Sequence, residues 1–123
     1  MRKVTRTERG WAGHHILAGR CRFRRNTLLT CGKVSIVVST IGLSRNLANT
    51  GFDTVGAGDC YFETMAFHSK TKDWRYHDAD VERNVCFDSP WRIYQIDADD
   101  LANDMHEAVV AELTEQLKEG HLI

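Results

Sequence analysis

Arg20, Arg22, Arg24 and Arg25 crowd a single short segment, Arg20-Cys21-Arg22-Phe23-Arg24-Arg25, with no lysine among them. A guanidinium is a planar fork of donors that fits phosphate and carboxylate oxygens and stacks on flat rings. This run, with Phe23 inside it and Trp11 upstream, could therefore pair with phosphates and stack bases. The same forks would serve the Asp and Glu side chains of the chain itself equally well, and then no ligand is needed. A second candidate surface has the opposite sign. Asp104, Glu107, Glu112, Glu115 and Glu119 recur toward the C-terminus, a row of carboxylates able to compete with a phosphate backbone for a basic protein groove.

Cysteine and histidine chemistry finds less support. Cys21, Cys31, Cys60 and Cys86 contain no C-x-x-C pair, and His14 and His15 precede Cys21 without a second half at zinc-site separation. No metal site and no cofactor is expected, although a set drawn from His14, His15, Cys21 and a distant Cys or His stays open. The segment Gly58-Asp59-Cys60-Tyr61-Phe62 resembles the nucleophile segment of ovarian-tumour-type cysteine proteases. That resemblance implies a thiol at a helix N-terminus, where its pKa falls, with His68, His77 or His106 as a base. The chain departs from the pattern at Ala57, where the family carries Asp, and over Glu63–His68, which reads as a strand. Asp78, Asp80 and Glu82 with Glu63 could hold a divalent ion for phosphodiester chemistry, but a solvated acidic loop is the simpler reading. Gly56-Ala57-Gly58-Asp59 lacks the following helix and Lys of a phosphate loop. No residue is therefore assigned as catalytic, and a cysteine- or metal-dependent hydrolase is kept as an alternative only.

The elements that must position these residues are readable in outline. Thr27–Cys31 and Val34–Ile41 are β-branched runs separated by Gly32-Lys33, a tight-hairpin connection. Tyr61–His68 reads as a third strand, Asn84–Phe87 as a fourth and Trp91–Ile96 as a fifth, with Asp88-Ser89-Pro90 turning between the last two. Ser44–Gly58 and Ser69–Asp80 read as loops. Leu101, Met105, Val109, Leu113 and Leu117 recur every four residues, which predicts a C-terminal amphipathic helix. Asp97, Asp99 and Asp100 would supply its N-cap and first-turn charge, and Gly120 its stop. Ile96, Ala102 and Val110 join the leucines in the expected buried stripe. The expected fold is α+β, an antiparallel sheet of about five strands with the helix packed on one face, and the whole of 1–123 reads as a single domain.

Charge is distributed unevenly along the chain. Residues 1–50 hold ten bases against one acid, net +9, and residues 51–123 hold six bases against sixteen acids, net −10. Opposite-signed segments predict internal pairing, head-to-tail self-association such as a homodimer, or two partner surfaces. No apolar run approaches the ~18 residues of a membrane span, and the start of the sequence lacks a signal-peptide core. A cytoplasmic setting with no membrane partner is the expectation.

Arg9-Gly10-Trp11-Ala12-Gly13-His14-His15, Arg24–Leu29, Val37–Gly42, Glu63–His68 and Ala98–Ala108 together resemble a family of small uncharacterised proteins of tailed phages and prophages. The resemblance covers most of the chain and implies an origin more than a mechanism. Accessory proteins of that origin often occlude a host defence nuclease or its nucleic-acid channel. It implies a binding protein that inhibits a host defence system, with an anti-CRISPR role as the sharpest form and a host protein or nucleoprotein complex as partner. Arg20, Arg22, Phe23, Arg24, Arg25 and Trp11 are the candidate contacts on one side, and Glu112, Glu115 and Glu119 on the other. A nucleic-acid-binding protein using the arginine and aromatic patch is the alternative.

Overall fold

The computed structural model of the protein describes residues 2–9, 18–48, 50–55, 60–69, 79–85 and 93–122. Trp11, His14, His15, Asp59, His77, Asp78, Cys86 and the Asp88-Ser89-Pro90 turn lie outside these residues. The chain builds β1 (Thr5–Glu8), β2 (Cys21–Cys31), β3 (Val34–Arg45), β4 (Phe52–Asp53), β5 (Phe62–Ser69), β6 (Ala79–Val85) and α1 (Asp99–Lys118). The strands form one antiparallel sheet in the order β1-β2-β3-β5-β6, with β4 paired to the C-terminal end of β3. The architecture is thus α+β, as expected, with six strands among the described residues and a C-terminal helix on the sheet.

The β2–β3 hairpin turns at Gly32, whose φ of 60° is cheap only without a Cβ, and its ladder runs from Cys31↔Val34 to Cys21↔Ser44. β3 is the central strand and its side chains are buried on both faces. Ile36 and Val38 point to the helix side, where they join Leu29, Cys31, Ala66, Val85, Val109, Val110, Leu113 and Leu117. A second cluster toward the N-terminus of α1 contains Leu43, Phe62, Ile93, Ala98, Ala102 and Met105. On the other face Ile41 packs with Cys21 and Val55, and Val37 and Phe67 are buried. Burying a side chain of this size contributes about 1.5–3 kcal/mol, so the stripe on α1 is sufficient to hold the helix on the sheet.

Several expectations need correction. β2 begins at Cys21 rather than Thr27, so the arginine run lies inside a strand. The strand expected over Asn84–Phe87 begins earlier, as β6 at Ala79, and Cys86 and Phe87 lie outside the described residues. Of the expected fifth strand Trp91–Ile96, Trp91 and Arg92 lie outside the described residues, and among the rest Ile93 makes a single bridge to Phe62 and a turn follows. The Ser44–Gly58 stretch holds the short β4. Ile96 and Leu101 are 49% and 52% exposed and leave the buried stripe, whose inner positions are filled instead by Ala102, Met105, His106, Val109, Val110, Leu113 and Leu117. The N-cap is Ala98, without a side-chain cap. Among the described residues no helix is long and apolar enough to cross a membrane.

Candidate functional site

Strand alternation splits the arginine run. Arg25 lies on the helix side of β2 with Thr27 and Leu29, whereas Arg24 is exposed and offset by one residue to the opposite face. The guanidinium of Arg25 donates to Glu107 Oε2 (2.6 Å) and Asn103 Oδ1 (2.9 Å) on α1, and to Glu8 Oε1 (2.6 Å) on β1. Arg6 grips the same Glu107 with both Nη atoms, at 2.9 and 2.6 Å, and reaches Glu8 at 3.2 Å. Arg22 donates to Asp99 (2.9 Å) and contacts Asp97 (3.3 Å). Arg20 donates to the Arg45 carbonyl. Phe23 is half-buried, edge-on to Phe62 with ring centres 5.9 Å apart. Four members of the expected nucleic-acid patch, Arg20, Arg22, Arg25 and Phe23, thus make contacts within the fold. The positive and negative segments of the chain meet internally at these contacts.

The two clustered carboxylates are held ionised. Hydrogen bonds from Arg6, then Arg25, bring Glu107 down to about 2 from the usual carboxylate value. For Glu8 burial would raise the pKa, but hydrogen bonds from Thr27 and Arg25 outweigh it and hold the carboxyl below its ordinary value. Asp99 and Asp97 raise the Arg22 pKa in turn.

Beneath this cluster lies a buried polar chain. His106, fully buried on the inner face of α1, has Nε2 2.7 Å from Thr27 Oγ1 and Nδ1 2.7 Å from Thr40 Oγ1, and Thr40 Oγ1 is 2.6 Å from Thr64 Oγ1. Thr27 donates to Glu8 Oε1 at 2.5 Å. An ionised carboxylate only accepts, so the Thr27 proton points to Glu8 and its oxygen accepts from His106 Nε2–H. The neutral ring then offers Nδ1 as an acceptor, filled by the Thr40 hydroxyl, whose oxygen accepts from Thr64. Every donor finds one acceptor. Burial, aided by the nearby Arg25 charge, keeps the ring neutral by pulling the His106 pKa down to about 4.

The imidazole at the middle of this chain is fully buried. An open groove runs between β1 and α1, lined by Val4, Arg6, Glu107, Val110 and Thr114, but His106 is not on its wall. Cys60 is 1% exposed and leads into strand β5, so no helix N-terminus activates its thiol. Cys21, Cys31 and Cys60 are buried and form no disulfide. Among the described residues no three His, Cys, Asp or Glu side chains are grouped to hold a metal ion.

The acidic row on α1 is placed differently. Asp100, Asp104, Glu115 and Glu119 are exposed and Glu112 is partly so. Glu115 meets Lys118 at 3.4 Å and Glu119 meets His121 at 3.3 Å, both on the same end of the molecule. Sequence reasoning named the row as Asp104, Glu107, Glu112, Glu115 and Glu119, from which Glu107 is withdrawn by its bonds to Arg6 and Arg25, and it missed Glu8, Thr27, Thr40 and Thr64 as a connected set. The available signal was His106 itself, one residue beyond Met105 and three before Val109 in the apolar stripe. No family model, curated protein or solved structure matches the chain.

Proposed function

We propose that the protein is a stoichiometric binding protein that docks the outer face of α1 onto a basic groove of a host protein or nucleoprotein complex. The observation that carries this reading is an asymmetry in what the charges do. Arg6, Arg22 and Arg25 are committed to carboxylates of the fold, whereas Asp100, Asp104, Glu112, Glu115 and Glu119 face outward from a helix of 20 residues, about 30 Å long. A rigid row of carboxylates on that scale is complementary to a groove that otherwise receives a polyanion. The resemblance to phage proteins narrows the role to inhibition of a host defence system, with an anti-CRISPR protein as its sharpest form.

The nucleic-acid alternative loses Arg22, Arg25 and Phe23 to internal contacts. The hydrolase alternative finds Cys60 buried. A triple reversal, Glu112→Lys, Glu115→Lys and Glu119→Lys, tests the reading because it leaves the inner stripe untouched. Partners are captured from lysate of a bacterium carrying the defence system, with nuclease treatment, and phage plaque formation is scored in the same strain. A discrete host protein survives nuclease, and the reversal weakens its binding at least ~100-fold while abolishing protection of the phage. Recovery of nucleic acid alone, released by salt and sensitive to Arg24→Glu, overturns the proposal. Arg22 and Arg25 are unsuitable for that control, since removing either also removes a tie between α1 and the sheet.

A further inference from the structure

We infer that His106 is a proton-operated latch holding α1 on the sheet: the neutral ring bridges β2 and β3 with every hydroxyl proton placed, whereas protonation buries a cation there and forces the threonine hydroxyls to reorient. The inference concerns the fold itself and does not depend on the binding role proposed above.

The argument rests on the directionality of the buried chain. Neutral His106 donates through Nε2 to Thr27 and accepts at Nδ1 from Thr40, and each threonine hydroxyl already uses its single proton, Thr27 toward Glu8 and Thr40 toward the ring. A proton added at Nδ1 meets the Thr40 proton head-on. Thr40 must turn its hydroxyl to Thr64, and Thr64 must turn its own proton elsewhere. The new charge also sits in a fully buried position, where an unsolvated cation is costly.

The charged groups around the ring act on it in both directions. Among the described residues, β1 contributes Arg6 and Glu8, β2 contributes Arg25, and α1 contributes Glu107, with Arg25 the strongest of these influences and opposed to protonation. Glu8 and Glu107 favour the cation, but both carboxylates are already shared between the two guanidiniums. From β3 and β5 only the hydroxyls of Thr40 and Thr64 join the chain. Solvent reaches the protonated ring most directly if α1 lifts away, and the outer acidic face then loses its rigid support.

Two-dimensional NMR of the intact protein between pH 7 and pH 3.5 tests the latch, with the His106 ring signal and the α1 amide exchange rates followed together. The expected result is loss of α1 amide protection in step with His106 protonation, while the β2–β3 amides stay protected. In His106→Gln, which keeps a donor and an acceptor but has no ionising ring, the α1 transition moves down by about one pH unit or more. Should that variant fail to fold, the wild-type titration decides. Protonation of His106 near the ordinary histidine value with α1 still protected overturns the latch. An unchanged α1 midpoint in folded His106→Gln overturns it too.

Discussion

At Gly42 the buried ring of Phe62 occupies the space where any other residue would place its Cβ. The two residues are direct partners across β3 and β5, and Phe23 pairs with Gly42 from β2 while its ring meets Phe62 edge-on. Gly42→Ala therefore displaces an aromatic ring rather than a flexible chain end, and is expected to cost about 2–3 kcal/mol in urea unfolding. Gly51→Ala, whose nearest obstacle is 3.8 Å away, should stay within about 0.5 kcal/mol of wild type. Equal costs would mean that Phe62 has room to move. None of this is legible in the run Val37–Gly42, where glycine merely ends an apolar strand. The arginines are legible as residues seeking oxyanions, but a guanidinium does not announce whose. Arg22 and Asp99 are 77 positions apart and Arg6 and Glu107 are 101, so their pairing is a product of topology.

Elements set by local chemistry are the ones the sequence reveals. The β2–β3 turn needs a positive φ at Gly32, and the stripe of α1 repeats with the helical period, so both are predictable from neighbours alone. β1 is not, because Thr5–Glu8 is polar and exposed throughout and so lacks the alternation that marks a strand. The first half of β2 hides in the same way, its apolar Cys21 and Phe23 separated by arginines that look like a surface loop. At its far end α1 stops as Gly120 suggested, with backbone bonds from Gly120 to Leu117 and from His121 to Gln116 and a φ of 77° at the glycine. That pair of bonds is a Schellman cap, which a side chain at C′ strains. In Gly120→Ala the new Cβ also meets the Arg2 guanidinium at 3.0 Å. A loss of about 1 kcal/mol or slightly more is expected in thermal melts, together with faster exchange of the His121 amide. A variant that melts like wild type with His121 still protected would show the cap to be dispensable.

At the scale of the whole molecule, the excess of positive charge early in the chain and of negative charge late in it is partly discharged at one place, where Arg6 and Arg25 close on Glu8 and Glu107. Glu107 is the only member of this set on the helix, so it carries the electrostatic tie between the first strand and the last element. Glu107→Gln is expected to cost about 1–2 kcal/mol at pH 7, below the value for a fully buried pair because the carboxylate is 42% exposed and screened by water. Glu115→Gln, which loses an exposed pair with Lys118 at a side chain 66% exposed, should change little. The sign of the pH dependence follows from Glu107 having its pKa depressed to about 2 in the fold against 4.5 without it. Its contribution is complete above pH 4.5 and is lost as pH falls toward 2, where native and unfolded chains bind the same proton. His106, also depressed, acts earlier, since the unfolded chain takes up its proton below 6.5 while the folded one resists until about 4. The two steps separate in a His106→Gln background, where α1 stays docked through the histidine range. There the stability gap produced by Glu107→Gln should hold constant down to pH 4.5 and close by pH 2, and it should narrow in 1 M salt. A gap that persists at pH 2 would assign the loss to the amide NH2 set against the two guanidiniums rather than to the charge of Glu107.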